Sequence, residues 1–344
     1  MSAPRLLVDG RLLDDRHPGV RDFWIPVLEA WAGQGGDGAV VHRRGSPPPA
    51  ALVAAGFAPV ALRSAVGAPR GRSEARRVVA TTKVSATLSP LYLTLDGASR
   101  NLATVFDLTG RKHPRSWRSR LLWEAAMRWT IRGASCVVCA TTATATELAA
   151  SFPALRGRTA IVSAVAPPAP HPADVSLARL GVVPPYALVV ASHRPHKRLA
   201  ELARAWSCAA PGVALVLAGE GTQALDATPG IRGLGFVSND TLAALLARAG
   251  CLVSASLAEG FGLPVLAAFT AGVPVAATHV PALDEVAGDA VDWCAPDDLA
   301  GLIAAAVRAI RQPNAVAAQI ERGRARAGAF TATRAAQRLA QLLT

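Results

Sequence analysis

The segment Glu259-Gly260-Phe261-Gly262-Leu263-Pro264 places a carboxylate, two glycines and a proline in six consecutive residues. A strand-like run, Cys251–Ser254, precedes it. An apolar stretch closed by Gly272 follows, and Val273-Pro-Val-Ala-Ala then resumes strand character. Pro264 suits the first helical position, where its missing N–H costs nothing, and Gly272 suits the helix end. Glycines ahead of a helix start let backbone N–H groups approach a phosphate, whose charge the helix dipole favours. Glu259 cannot itself bind phosphate. It is placed to accept hydrogen bonds from hydroxyls on a neutral group attached to one, such as a sugar. A tight turn with a solvated glutamate is the alternative for this segment taken alone.

A second chemical element begins at Leu188: strand, basic turn, helix. Arg194, His196, Lys197 and Arg198 fall at the carboxyl end of that strand, where a cationic cluster can neutralise a leaving diphosphate. Its plain reading is a solvated turn. Of the 36 basic residues 33 are arginine, so the lysines (Lys83, Lys112 and Lys197) stand outside the chain's compositional bias. No Asp-x-Asp metal motif is present, and Asp14-Asp15 and Asp297-Asp298 read as loop pairs. No metal and no cofactor are expected. The five cysteines are odd in number and scattered, which argues against a disulfide framework. Cys136-x-x-Cys139 has half of a zinc spacing, but nothing completes it, and it reads as a buried strand with structural thiols.

These segments need a scaffold of alternating strands and helices. The clearest strands are Arg5–Asp9, Ala39–His42, Leu188–Ala191, Val213–Ala218, Cys251–Ser254 and Val273–Ala277. Helical patterns cover Arg115–Arg132, Ala200–Cys208, Asp240–Ala249 and Leu299–Arg311. Such alternation predicts parallel sheets covered on both faces. The pattern restarts after the proline-rich stretch Ala166–Ala173. It gives an α/β chain of two doubly wound, Rossmann-like domains facing a cleft: 1–168, a linker over 169–185, 186–324, and a helix over 325–344 returning to the first domain. Ser46-Pro-Pro-Pro49 reads as a loop within the first domain and the Gly/Arg-rich Val66–Arg77 as a mobile segment. The apolar segment at the start is too short for a signal peptide and no run is long enough to span a membrane, so a cytoplasmic location is expected.

The net charge of +12 is uneven: residues 1–170 hold 22 basic and 11 acidic residues, the remainder 14 and 13. The first half is therefore expected to meet something anionic. The stretch from Arg111 to Trp129 mixes cations with three tryptophans. As a surface it would suit an anionic lipid or a phosphate-bearing acceptor, giving peripheral contact at the inner membrane face. As structure it would pack Leu121, Leu122, Met127 and Trp123 inward with its arginines in water. No nucleic-acid-binding module is visible, and nucleic acid is not expected as a partner.

Residues 187–298 resemble the carboxyl-terminal domain of the retaining, metal-independent family 4 glycosyltransferases of GT-B fold, especially bacterial mannosyltransferase-like members. The resemblance rests on Arg194-Pro-His-Lys197, Gly233-Leu-Gly-Phe-Val-Ser238, Glu259-Gly-Phe-Gly-Leu-Pro-Val-Leu266, Ala271-Gly-Val-Pro-Val275 and Leu283-Asp-Glu-Val-Ala-Gly-Asp289. His17-Pro-Gly-Val-Arg-Asp-Phe23 and Thr104-Val-Phe-Asp-Leu-Thr109 extend it more weakly into the first half. It implies a nucleotide-sugar donor and an acceptor glycan, glycolipid or small molecule, in polysaccharide, glycolipid or secondary-metabolite assembly. Lys197 and Arg194 would meet the diphosphate. Glu259 and the N–H groups of Gly260, Phe261, Gly262 and Leu263 would hold the sugar and its phosphate. Gly19 would approach the phosphates from the first domain, and the backbone at Phe236 and Val237 would meet the base. Asp107 is the best carboxylate of the first domain for an acceptor or sugar contact, or else a structural strand-end residue.

The sequence departs from the family at the donor site. The second family glutamate, which bonds the ribose hydroxyls, is Ala267 here; the histidine before Asp107 is Phe106; the glycine before the basic turn is Ala191. Loss of a charged hydrogen-bond pair costs about 1.5–3 kcal/mol, roughly ten- to a hundredfold in affinity. Three readings stay open: an enzyme with an unusual donor such as a sugar phosphate, an enzyme holding the ribose otherwise, and a catalytically silent binding partner.

Overall fold

A computed structural model describes residues 5–14, 17–64, 71–170 and 175–344, with the side chains of Gly71 and Arg72 excepted. Asp15, residues 66–70 and the end of the proline-rich segment lie outside the described residues. The chain divides into two compact units, Met1–Val165 with Phe330–Thr344, and Ala166–Ala329. The carboxyl-terminal divide thus follows the helix that ends at Ala327 and does not fall at 325.

Unit 1 runs β1 (Arg5–Asp9), α1 (Pro18–Gly33), β2 (Asp37–Arg43), α2 (Ala50–Ala54), β3 (Ala58–Leu62), α3 (Gly71–Thr82), β4 (Ala86–Ser89), β5 (Arg100–Thr104), α4 (Thr109–Lys112), α5 (Trp117–Gly133), β6 (Cys136–Cys139), α6 (Thr142–Ser151) and β7 (Thr159–Ile161). Residues 71–77, expected as part of a mobile segment, are therefore the first turns of a helix. The sheet is wholly parallel in the order β3-β2-β1-β4-β5-β6-β7. Two clusters pack one of its faces: Leu7, Val41 and Leu62 with Val79, and Ala103 and Val137 with Trp123 and Met127.

Unit 2 runs β8 (Ala187–Val190), α7 (Leu199–Ala209), β9 (Leu215–Ala218), β10 (Ile231–Gly235), α8 (Asn239–Arg248), β11 (Cys251–Ser254), α9 (Leu263–Ala271), β12 (Val275–Thr278), α10 (Pro281–Ala287), β13 (Asp292–Cys294), α11 (Leu299–Arg311) and α12 (Ala317–Ala327). Its parallel sheet has the order β10-β9-β8-β11-β12-β13. Trp206 and Leu202 of α7 and Leu302 and Ala306 of α11 fill the core beneath β8, β9 and β11. The fully buried Trp206 keeps its indole N–H satisfied by donating to the Val213 carbonyl at 2.8 Å.

The last helix, α13 (Ala332–Leu343), returns to unit 1 and packs against α1. It buries Ala335, Ala336, Leu339 and Leu343, each leucine contributing roughly 1.5–3 kcal/mol of burial. Arg100 Nη1 of β5 donates to the Leu342 carbonyl at 3.2 Å and holds the same helix.

Candidate donor site of unit 2

The strand order of unit 2 reverses between β8 and β11, neighbours in the sheet from which the chain proceeds in opposite directions. In an open parallel sheet the crevice beyond the carboxyl ends at such a point is where ligands bind. A pocket lies there. It is lined by the ends of β8 (Val189 to Ala191) and β11 (Leu252 to Ser256), and by Lys197, Glu259, Gly262 and Pro264.

Two loops furnish its polar groups. After β8 the chain forms a short 3-10 turn, Pro195–Lys197, and Arg198 at φ 54 starts α7. Close backbone contact at the strand ends requires glycine opposite: Gly219 has φ 145, and a Cβ there would lie 2.2 Å from the Ala191 carbonyl oxygen. The basic turn is also pinned to the acidic loop, Leu257 N–H donating to the His196 carbonyl at 2.8 Å.

The acidic loop follows β11. Gly262 caps α9 at φ 97, Leu263 is the first helical residue and Pro264 the second. The proline thus sits one position later than expected, still within the turn whose N–H groups have no intrahelical acceptor. Leu283 of α10 closes over Gly262 so tightly that a Cβ there would stand 2.2 Å from Leu283 Cδ2. Gly272 ends the helix at φ 69.

Between these loops Lys197 Nζ donates to Glu259 Oε1 at 2.6 Å, with side chains 17% and 15% exposed. Ser256 Oγ–H donates to the same oxygen at 2.7 Å. Ser256 is itself held through its carbonyl, which accepts from buried Thr278 Oγ1 of β12 at 2.6 Å. Sequence reasoning missed Ser256 and Thr278. Ser256 carried a signal, a hydroxyl three residues ahead of Glu259; Thr278 carried none, because only the β11–β12 pairing brings it near.

Other expected residues are distributed around this centre. Arg194 Nε donates to Ser192 Oγ at 3.1 Å, and Nη2 lies 4.0 Å from Glu220, so the arginine turns along the rim while Lys197 lines the pocket. Gly260 and Phe261 are buried in the loop. Phe236, immediately after β10, is 63% exposed at the same carboxyl edge of the sheet, and Val237 follows it. Ala267 is partly buried in the second turn of α9.

In unit 1, Gly19 lies exposed in the first turn of α1 with open space where a Cβ would stand. Asp107 Oδ1 accepts the Thr109 N–H at 2.8 Å and the Thr109 hydroxyl, the work of a residue securing the start of α4. Burial pushes the Tyr92 phenol upward, and the nearby Asp107 carboxylate adds to that shift. Phe106 stacks edge-on against buried Phe23 at 4.9 Å. Asp14 Oδ1 pairs with His17 Nδ1 at 3.0 Å, and Asp298 caps α11 through the Gly301 N–H at 2.7 Å. All five cysteines are free; Cys139 and Cys251 are buried, Cys136 and Cys294 intermediate and Cys208 exposed. Leu121 and Leu122, expected to pack inward, are 60% and 73% exposed, because the inward stripe of α5 is Trp123, Met127 and Thr130. Among the described residues no cluster of metal-ligating side chains occurs and no helix is long and apolar enough to cross a membrane.

Residues 184–312 match the family model for glycosyl transferases group 1. The O-antigen chain mannosyltransferase B of Escherichia coli is 38% identical over 101 residues, covering 29% of this chain and 26% of that relative. The glycogen synthase of Mycobacterium tuberculosis is 40% identical over 121 residues, 31% of this chain and 28% of that one. The alignments thus span little more than a quarter of these relatives' length. Among solved structures, HepE of Anabaena in complex with UDP-glucose superposes with a TM-score of 0.75 at 17% identity, covering 98% of both chains. WaaG, a glycosyltransferase involved in lipopolysaccharide biosynthesis, gives 0.71 at 16% identity over 99% of both. At such identities the likeness establishes the fold. Segment 184–312 matches the glycosyl transferases group 1 model, and the chain has the GT-B fold.

Proposed function

We propose that the chain transfers a hexosyl group from a nucleotide-diphosphate sugar to a glycan or glycolipid acceptor, with retention of anomeric configuration and without a metal ion. The observation that carries this reading is the Lys197–Glu259 pair, set at the topological switch point beside the start of α9. The UDP-glucose complex of HepE and the mannosyltransferase named among the relatives support a nucleotide sugar as donor.

In this mechanism Lys197 and the opening N–H groups of α9 take up the charge that develops on the leaving diphosphate. Glu259, held by Ser256, orients the sugar hydroxyls. The acceptor hydroxyl oxygen forms the new bond to the anomeric carbon on the face the diphosphate leaves. The bond from that carbon to the phosphate oxygen breaks, and the acceptor proton passes to that oxygen. The protein's contribution is orientation and charge stabilisation. Arg194 completes the cationic rim, Phe236 and Val237 border the base, and Gly19 and Asp107 serve from unit 1.

Thermal-shift and calorimetric titration against UDP, GDP and ADP, their common sugars and sugar 1-phosphates tests the proposal. One nucleotide sugar should bind, and Lys197→Ala should abolish the response. A ligand at a hundred times its Kd stabilises by about 2.7 kcal/mol, well within reach of the assay. Silence toward every nucleotide would overturn the reading. Ala267 favours a second one, a transferase whose donor is a sugar phosphate without nucleoside, for which a ribose-binding carboxylate has no use. A response to sugar 1-phosphates alone would select it.

A further inference from the structure

The outward face of α5 has no role in the donor site, yet its composition is unusual. Ser116 caps the helix, its Oγ accepting the Ser119 N–H at 3.1 Å. From there Trp123, Met127 and Thr130 face the core. The opposite face presents Trp117, Leu121 and Leu122 at 68%, 60% and 73% exposure. The other exposed large hydrophobic residues among the described ones are scattered, whereas these three fall within six consecutive positions. Arg115, Arg118, Arg120 and Arg128 are exposed around them. The carboxylate of this helix, Glu124, is 20% exposed and lies 3.5 Å from Arg111. The result is an apolar patch ringed by cations with no exposed carboxylate on the helix.

We propose that the amino-terminal half of α5 docks unit 1 onto an anionic lipid surface. A bilayer interface suits both parts of the patch at once: tryptophan and leucine enter the headgroup–acyl boundary while arginine guanidinium groups meet lipid phosphates. Arg118 stands 5.3 Å from the Trp117 ring centroid, so the cation and the aromatic reach the interface together. A second copy of the chain is a poorer occupant. A two-fold contact would set the same arginines against one another, on the half of the chain that carries 22 basic residues against 11 acidic ones.

The docking face also has a defined position within unit 1. The chain leaves β5 at its carboxyl end, passes Asp107 and α4, and enters α5. Since β6 begins directly after α5 and runs parallel to β5, the start of α5 lies at the carboxyl edge of the sheet. Docking therefore holds the edge that carries Asp107 and Gly19 close to the headgroups, where a lipid-borne acceptor would present its hydroxyl.

The test is co-sedimentation of the full chain with phosphatidylcholine vesicles, with and without phosphatidylglycerol. Binding is expected only with the anionic lipid and should weaken as salt rises. The triple variant Trp117→Ser, Leu121→Ser, Leu122→Ser should lose it. Arg118→Gln and Arg120→Gln should each weaken it roughly fivefold. All these side chains are exposed, so the melting temperature should hold, and nucleotide titration of the triple variant should match the wild type whatever donor is found. Absence of sedimentation with anionic vesicles, or equal sedimentation of the triple variant, overturns the proposal. So does a concentration-dependent dimer that the same substitutions dissolve, which would assign the patch to a second copy.

Discussion

Replacing Glu259 by glutamine should make a bare nucleoside diphosphate bind more tightly while making the sugar donor a poorer substrate. Lys197 Nζ is committed to Glu259 Oε1 at 2.6 Å, and both side chains are less than one-fifth exposed. An arriving diphosphate must compete for that ammonium. Gross attraction at this separation is about 6 kcal/mol at an effective dielectric of 20. Desolvation and residual solvent contact bring the net value to about 1–2 kcal/mol. Glu259→Gln keeps an amide oxygen for Lys197 and Ser256 but removes the charge, so the cognate nucleoside diphosphate should gain about 5- to 30-fold in affinity. The sugar donor loses a charged acceptor for its hydroxyls, about 1.5–3 kcal/mol, and transfer should slow roughly ten- to a hundredfold. Lys197→Met should weaken both ligands. Calorimetry with the diphosphate and its sugar at fixed ionic strength, together with transfer rates, separates these terms. Parallel weakening of both ligands in Glu259→Gln would refute the competition argument. So would unchanged diphosphate affinity in a fully folded Lys197→Met.

Gly262→Ala combines a left-handed backbone, φ 97, with a Cβ 2.2 Å from Leu283 Cδ2, and should cost roughly 2–5 kcal/mol in a denaturant titration. Gly19→Ala meets nothing within 4 Å; it should leave melting unchanged or raise it slightly while weakening donor binding, and unchanged binding would remove Gly19 from the phosphate site. Burial pushes the Cys139 and Cys251 thiols up to about 12, whereas Cys208 is exposed. An aromatic disulfide reagent near neutral pH should therefore modify Cys208 quickly and reach Cys139 and Cys251 only on unfolding. Ala267→Glu should tighten a ribonucleotide donor roughly ten- to a hundredfold and leave its 2′,3′-dideoxy analogue unaffected. Equal effects on the two, measured by calorimetry, would place residue 267 away from the ribose.

The architecture was legible because strand and helix composition alternate so regularly; Arg5–Asp9, Cys251–Ser254 and Leu299–Arg311 begin and end where the sequence places them. Boundaries moved where a backbone group had another use. β9 starts at Leu215 and not at Val213, whose carbonyl accepts the Trp206 indole N–H. β12 starts at Val275 because Pro274 has no N–H, although its carbonyl accepts the Leu252 N–H at 2.9 Å. The inward stripe of α5 was misread because it includes a hydroxyl. Thr130 faces the core, where its oxygen accepts the Leu93 N–H at 3.0 Å and its proton goes to the Ala126 carbonyl. That phase turns Leu121 and Leu122 to solvent. Glu259 and Lys197 were each visible in their own motif, but no spacing rule pairs residues 62 positions apart. Their pairing follows from β8 lying beside β11.

The departures at residues 106 and 267 are physically unlike. Phe106 is built into its surroundings: its ring meets Phe23 edge-on at 4.9 Å and its carbonyl accepts the Thr144 hydroxyl at 3.1 Å. An imidazole there would trade an aromatic contact worth about 0.5–1.5 kcal/mol for a polar group needing a partner beside a buried ring. Position 106 has been absorbed into packing, and returning it to histidine tests stability and chemistry together. Ala267 is partly buried within α9, a helix otherwise packed through Val265, Leu266, Ala268 and Phe269. Glutamate is nearly as good a helix former as alanine, so no propensity conflict stands against restoring it. Meanwhile Lys197, Glu259, Ser256 and Thr278 form an unbroken hydrogen-bonded chain from the pocket into the sheet. The groups suited to handling charge and sugar hydroxyls are thus held rigidly, and the change at 267 falls on the part of the site that would read the nucleoside. Residue 267 is where donor identity can be tested with the fold left undisturbed.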